Sequence, residues 1–592
     1  DEEEEEGEDQ DKSKDKKEIE KAEEDEVEAK EEARRPEQKS GDKEAEEEKA
    51  GKEDEEKPGK EGEEEGGKES EEEDEEEEHV SEADIEVSCM LLGGVALVII
   101  LFILVNWWDD DIRYYAWKII SVTISIFTAV LMFSGISDVV RKYFEDSNPW
   151  TFCLVQFVHC LAYIAVMQVA IAVFSGVICY DENVNLEEKR WIISDALRCD
   201  NGRVLSLAEE ANIRNVKKTK SVWTDDLGIE VPVSKRRHQL DYRKGLMKCY
   251  ATLLAHMSGF AAINAGATMQ QMHMFSSSPE MSFLAVLLNQ SVLQFFFQIT
   301  LFLRQSHKKR CVELGLNSMR ADLHNEEVQE AENDISSLSM SFLMVQALRL
   351  GIFGVLPNEE GTEVPEVAHS MPQVWTLYIS GVGFAFLSVL TMVVSKRIRS
   401  SLKLGGYNEE EVEESPLIRT VDTMLNTFGM GFAWCNLFAT RYVFLATGTL
   451  DIETVMGRVV MALTLSTFVF IFVFFLDKID DATREADEGG EGAVGLKIII
   501  NALSILVGFS WEHCFDGAVF AIASTTRHPD TIKFAIAVLV FALLVPTWKS
   551  HILTKVMELE DRQRERKKRE QEQKEAQQAQ KNPTVRLIAA CE

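Results

Sequence analysis

The chain has 592 residues and a formal charge of −39, and the charge is segregated. Residues 1–87 hold 45 acids against 15 bases, which is −30 of the total, with almost no aromatics. A polyanionic stretch argues against nucleic-acid binding and against docking on anionic lipid. With too little apolar surface to offset its ordering entropy, it reads as a disordered acidic tail. Such a tail can solubilise, accumulate cations loosely or receive a basic protein partner.

From Met90 to Pro546 the chain offers about eleven apolar segments. They fall at 90–108, 115–138, 151–176, 247–275, 282–303, 335–356, 374–395, 421–446, 454–476, 498–523 and 532–548. Each is close to the roughly 20 apolar residues that a spanning helix needs, because a helix satisfies every backbone N–H and C=O within itself. The predicted fold class is therefore all-α, a polytopic helical membrane protein. A multi-pass domain occupies 88–548, with the lipid bilayer as its first partner. The segment at 177–246 is the one long connector, and Trp191–Ala208 and Trp223–Val233 hold enough apolar residues for a small extramembrane subdomain. The connector at 304–334 reads as a charged helical extension. Beyond Pro546, residues 549–592 form a charged C-terminal helix and tail, whose apolar heptad stops too early for a coiled coil.

The connectors alternate in charge. Those at 177–246, 304–334, 396–420 and 477–497 carry Lys and Arg, among them Lys217, Lys308, Lys309, Lys396 and Arg399. Those at 276–281, 357–373 and 447–453 carry none, and 524–531 has only Arg527. The 139–149 loop departs from the alternation with Arg141 and Lys142, which can be read as a helix end. The positive-inside rule puts the basic loops and the C-terminus on the cytoplasmic or equivalent side and the acidic tail opposite. Gly431-Phe432-Ala433-Trp434 followed by Phe438 matches Gly508-Phe509-Ser510-Trp511 followed by Phe515. This spacing suggests a lead helix and five like hairpins; chance similarity among Phe/Ala/Gly-rich helices explains it equally well.

Ionisable groups inside a bilayer are costly, and each is a candidate site. Glu512 and Asp516 lie four apart on one helical face, with His513 about a third of a turn away. Such a triad can bind a divalent cation, relay protons or receive a cationic substrate; alternatively its carboxylates pair with Arg441 or Arg349 and lock helices together. Gln290, Gln294 and Gln298 repeat every four residues, either lining a hydrated path or joining helices. Asp138, Gln270, Gln271, His273, Arg349, Arg441, Glu512 and Asp516 all fall in the outer halves of their helices, which predicts a water-filled outer vestibule.

The ten cysteines show no CxxC or Cys/His ligand spacing. There is no GK[ST] phosphate loop, EF-hand or HExxH, and no nucleophile–base pair, so neither cofactor, resident metal nor enzymatic activity is expected. The reading is a channel or secondary transporter for an ion or small polar solute. The alternative is a non-transporting membrane scaffold that binds or oligomerises with protein partners through its tail and C-terminal helix.

Overall fold

A computed structural model describes residues 82–144, 146–178, 222–224, 230–313, 319–363, 368–406, 412, 415–448, 451–452, 454–486, 492–563, 566 and 569. The acidic tail up to residue 81 and most of the 177–246 connector lie outside the described residues, as does the C-terminus beyond 569. Eleven long helices occur among the described residues: α1 (Glu82–Val105), α2 (Asp110–Phe144), α3 (Pro149–Phe174), α4 (Val233–Gln271), α5 (Pro279–Glu313), α6 (Met319–Phe353), α7 (Met371–Leu404), α8 (Pro416–Thr447), α9 (Val455–Ala486), α10 (Gly492–Ser524) and α11 (Pro529–Thr547). The first six residues of α1 belong to the stretch expected to be tail. Proline opens α3, α5, α8 and α11, where its missing N–H costs no intrahelical bond. A short antiparallel ladder, β1 (Val222–Thr224) with β2 (Glu230–Pro232), precedes α4 and pairs Trp223 with Val231.

Ten of these helices are long and apolar enough to cross a membrane. The exception is α8, which carries Arg419, Asp422 and Arg441. Its charges are answered inside the protein: Arg419 by Glu332 at 3.1 Å and Asp422 by Arg399 at 2.6 Å. A buried helix with built-in partners need not be apolar in composition.

The even-numbered helices close a ring in which α2 packs on α4, α4 on α6, α6 on α8, α8 on α10, and α10 back on α2. All five run in the same direction. Ser125 of α2 bonds His256 of α4, and farther along both helices Asn264 bonds Ser137. Arg419 meets Glu332, and successively farther along both helices Trp434 donates to Ser341 and Arg349 to Tyr442. Each odd-numbered helix lies outside the ring, antiparallel to the even helix that follows it in sequence: α3 on α4, α5 on α6, α7 on α8 and α9 on α10. The last, α11, returns to α2. Trp548, in the π-helical turn after α11, donates to Ser121 of α2 at 2.8 Å. Helix α1 leans on α9, α10 and α2.

The packing is that of a membrane protein, with large apolar side chains outside and small polar ones within. Leu92, Ile379 and Phe386 are each about 70% exposed, whereas Ser336, Ser337, Ser339 and Ser341 of α6 are buried. Four rings cross the middle of the bundle as a layer. Phe260 stacks on Phe509 at 5.9 Å, Phe509 meets Trp434 edge-on at 4.7 Å, and Trp434 meets Phe342 at 5.0 Å. Toward the basic end, Leu253, Ile335, Leu503 and Leu506 are buried in one continuous cluster.

The repeated Gly-Phe-x-Trp residues do not repeat their contacts. Trp434 bonds Ser341 of the ring helix α6, but Trp511 bonds Ser466 of the outer helix α9. The charged C-terminal extension is not free in solvent. Leu553, Val556 and Leu559 are buried, and Gln563 and Arg566 donate to Asp111 at 2.8 and 2.5 Å.

Candidate functional site: a carboxylate-rich chamber

On the far side of the aromatic layer, at the end of the bundle away from the basic connectors, lies a cavity of about 130 Å³. It has room for several water molecules. Phe133, Phe260, Phe342 and Phe509 line its apolar part. Its polar lining includes Asp138, Glu359, Glu360, Glu512 and Asp516, against the bases Arg141 and Lys533. Five carboxylates face two cations, with His513, Ser134, Ser137 and Asn264 between them.

The helices deliver these groups at matched depth because the ring is parallel. Asp138 and Arg141 end α2, Asn264 lies on α4, and Glu512, His513 and Asp516 occupy adjoining turns of α10. Lys533 enters from the first turn of α11 and stands 3.2 Å from both Asp138 and Asp516. His513 mediates the other contact, its Nδ1 lying 3.7 Å from Glu512 and its Nε2 3.5 Å from Arg441. Arg458 of α9 donates to the His513 carbonyl at 3.3 Å. Asn264 donates to Gln156 at 3.1 Å and to Ser137 at 3.3 Å, so its amide is fixed from both α2 and α3.

The remaining carboxylates come from the turn after α6, which folds over the ring mouth. Glu359 pairs with Arg141 and accepts from Thr268 at 3.0 Å. Asn358 accepts from the backbone N–H groups of Glu360 and Thr362, while its carbonyl accepts from Gln346 at 2.9 Å. Gly361 adopts φ +82, and an added Cβ there would come within 2.9 Å of Phe438 and 3.0 Å of Phe342. Only glycine fits that turn.

Of the two arginines offered as partners for Glu512 and Asp516, Arg349 turns elsewhere. It donates to the Gly361 carbonyl at 2.8 Å and to Tyr442, lies over the Phe438 ring at 4.0 Å, and faces Glu363 at 3.6 Å. His369 closes that group at 2.7 Å from Glu363. The physical reason is the infolded turn, which brings Glu363 to Arg349 from within the next connector. Arg441 approaches Glu512 by way of His513, whose Nε2 lies 3.5 Å from its Nη1.

Gln290, Gln294 and Gln298 lie apart from the chamber on α5, outside the ring. Gln294 donates to Ser336 of α6 at 3.1 Å, joining helices, while Gln298 is exposed. Gln270 is buried and bonds the Ser282 and Leu343 carbonyls, Gln271 bonds the Pro357 carbonyl, and His273 is exposed. Lys533, Arg141, Glu359, Glu360 and Arg458 escape sequence reasoning. Lys533 has a readable signal as a lone cation at the head of an apolar helix, and Glu359 and Glu360 belong to a connector with acids and no bases.

Asp109, Asp111 and Asp477 each bring one oxygen within 4.8 Å of the others near the basic end. Asp111 is already engaged by Gln563 and Arg566. No protein-family model, no curated protein and no solved structure matches this chain.

Proposed function

We propose that the chain is a channel or secondary transporter for a small cation, and that all eleven helices cross the membrane as a lead helix and five hairpins, α8 included. The observation that carries this reading is the chamber itself, a hydrated-size cavity with five carboxylates and two bases in the outer half of the ring. Carboxylate and amide oxygens there replace part of an entering cation's hydration shell. Lys533, held between Asp138 and Asp516, is a tethered ammonium in the cation's seat, and an arriving ion displaces it. The aromatic layer is the barrier below, closing the path toward the basic end. By the positive-inside rule the chamber opens on the face opposite the basic connectors.

A second reading, a non-transporting scaffold, draws on one observation: the ring is filled below the aromatic layer and its principal charges have partners. Flux measurements on the full chain in proteoliposomes separate the two. Rubidium or methylammonium uptake that falls at least tenfold in Glu512→Gln and Asp516→Asn supports transport. No uptake above protein-free liposomes, under either an imposed potential or a proton gradient, rejects it in favour of the scaffold.

A further inference from the structure

Outside the ring, at the basic end, a larger cavity of about 760 Å³ lies between the ends of α3 and α5 and the start of α6. Its size falls in the range of about 300–1,000 Å³ typical of small-molecule sites. One wall is apolar: Val169, Ile178 and Leu303 line it and are 56%, 58% and 60% exposed. Val169 and Leu303 belong to the outward faces of two peripheral helices, where the surroundings are lipid, and Ile178 to the turn that follows α3. The other wall is basic, formed by Arg304, Lys308 and Lys309 with the buried, neutral His324 beside them, and no carboxylate occurs among the described residues that line it.

Two observations point to an anion. Behind the basic wall, Glu332 is buried and receives both Arg304 at 2.7 Å and Arg419 at 3.1 Å. One carboxylate between two guanidiniums leaves the cluster positive. Further, His324 is only 7% exposed, lines the cavity, and has no hydrogen-bond partner for its Nε2. A buried polar atom without a partner is rare and costs stability until something meets it.

We infer that this cleft binds one anionic phospholipid from the leaflet at the basic end. Its phosphate group lies against Arg304, His324 and Lys309, and an acyl chain runs along Val169, Ile178 and Leu303. Anionic headgroups are recognised by basic pockets between membrane helices in this manner. A lipid held there ties α3 and α5 to α6 at the point where the two peripheral helices separate. The site is distinct from the outer chamber and does not depend on what the chamber carries.

The test uses the purified full chain in a neutral detergent. Dioleoyl phosphatidylglycerol, dioleoyl phosphatidylcholine and inorganic phosphate are added separately, and native mass spectrometry and thermal melting are read. Phosphatidylglycerol is expected to be retained as one copy and to raise the melting temperature by several degrees, the other two having little effect. Leu303→Trp, which fills the apolar wall, and the double variant Lys308→Gln/Lys309→Gln should each halve that rise or better without altering unliganded melting. The inference is overturned if phosphatidylcholine is retained equally, since charge is then not recognised. It is also overturned if inorganic phosphate alone reproduces the rise, if both variants keep it in full, or if no copy is retained.

Discussion

Arg441 Nη1 stands 3.5 Å from His513 Nε2, and the opposite nitrogen of that imidazole faces Glu512 at 3.7 Å. The arginine of α8 and the carboxylate of α10 are therefore linked through a histidine rather than by direct contact. A double-mutant cycle of Arg441→Leu and Glu512→Gln should give a coupling of about 0.5–3 kcal/mol, read from unfolding in micelles. The same cycle in a His513→Phe background should fall to near zero. A coupling that survives loss of the imidazole means that the two groups communicate by another route.

Glu332 carries more of the fold than any residue in the chamber. It is buried and accepts from Gln168, Thr300, Arg304 and Arg419, and so joins α3, α5, α6 and α8. Glu332→Gln keeps the shape and leaves two guanidiniums without their counter-charge, at an expected cost of about 3–5 kcal/mol. Adding Arg419→Gln should recover part of the loss. Thermal melting of the three proteins side by side checks both statements, and a Glu332→Gln protein as stable as the parent refutes them.

Gly361 is the pivot of the infolded turn. Alanine there meets a left-handed backbone, which costs about 1–2 kcal/mol, and Phe438 and Phe342 besides. Gly361→Ala should lower the melting temperature and speed amide exchange across residues 354–363, with little change in α1. Unchanged exchange in that turn would show that it does not depend on the close approach.

Sidedness has its own check. In a cysteine-depleted background, Glu360→Cys should react with an impermeant maleimide from one face of the vesicle. Lys309→Cys and Arg569→Cys should react from the other. Labelling of Glu360→Cys and Lys309→Cys from the same side breaks the hairpin scheme, and with it the outward placement of the chamber.

Helices were the most legible feature of this chain, because apolar runs of spanning length admit few other structures. Their ends were less so. The segment expected at 115–138 extends over Asp110–Phe144, since Asp110 and Asp111 suit a helix start and Arg141 and Lys142 a helix end. Glu512, His513 and Asp516 were readable as a unit because one helix supplies all three. Partners from other helices were not. Arg141 meets Glu359 across 218 residues and Lys142 meets Asp530 across 388, and no local spacing encodes such pairs. Those two pairs also account for the pair of bases on the otherwise base-poor face, since each is answered by an acid. The glutamine stripe left two readings open for a related reason: periodicity gives a face but not whether that face looks into the ring or joins a flanking helix, as Gln294 does with Ser336.

The order in which the ring closes bears on how the protein is made. Trp548 and Ser121, whose bond fastens the end of α11 to α2, are 427 residues apart. During synthesis α2 precedes its outer neighbour α11 by eight intervening helices, so one flank waits uncovered until the ninth follows. Contacts of such separation form late. A chain stopped before Pro529 lacks that neighbour and presents Asp138 without Lys533. The seam along α2 is thus closed from α11, which supplies both its cover and the ammonium that balances Asp138.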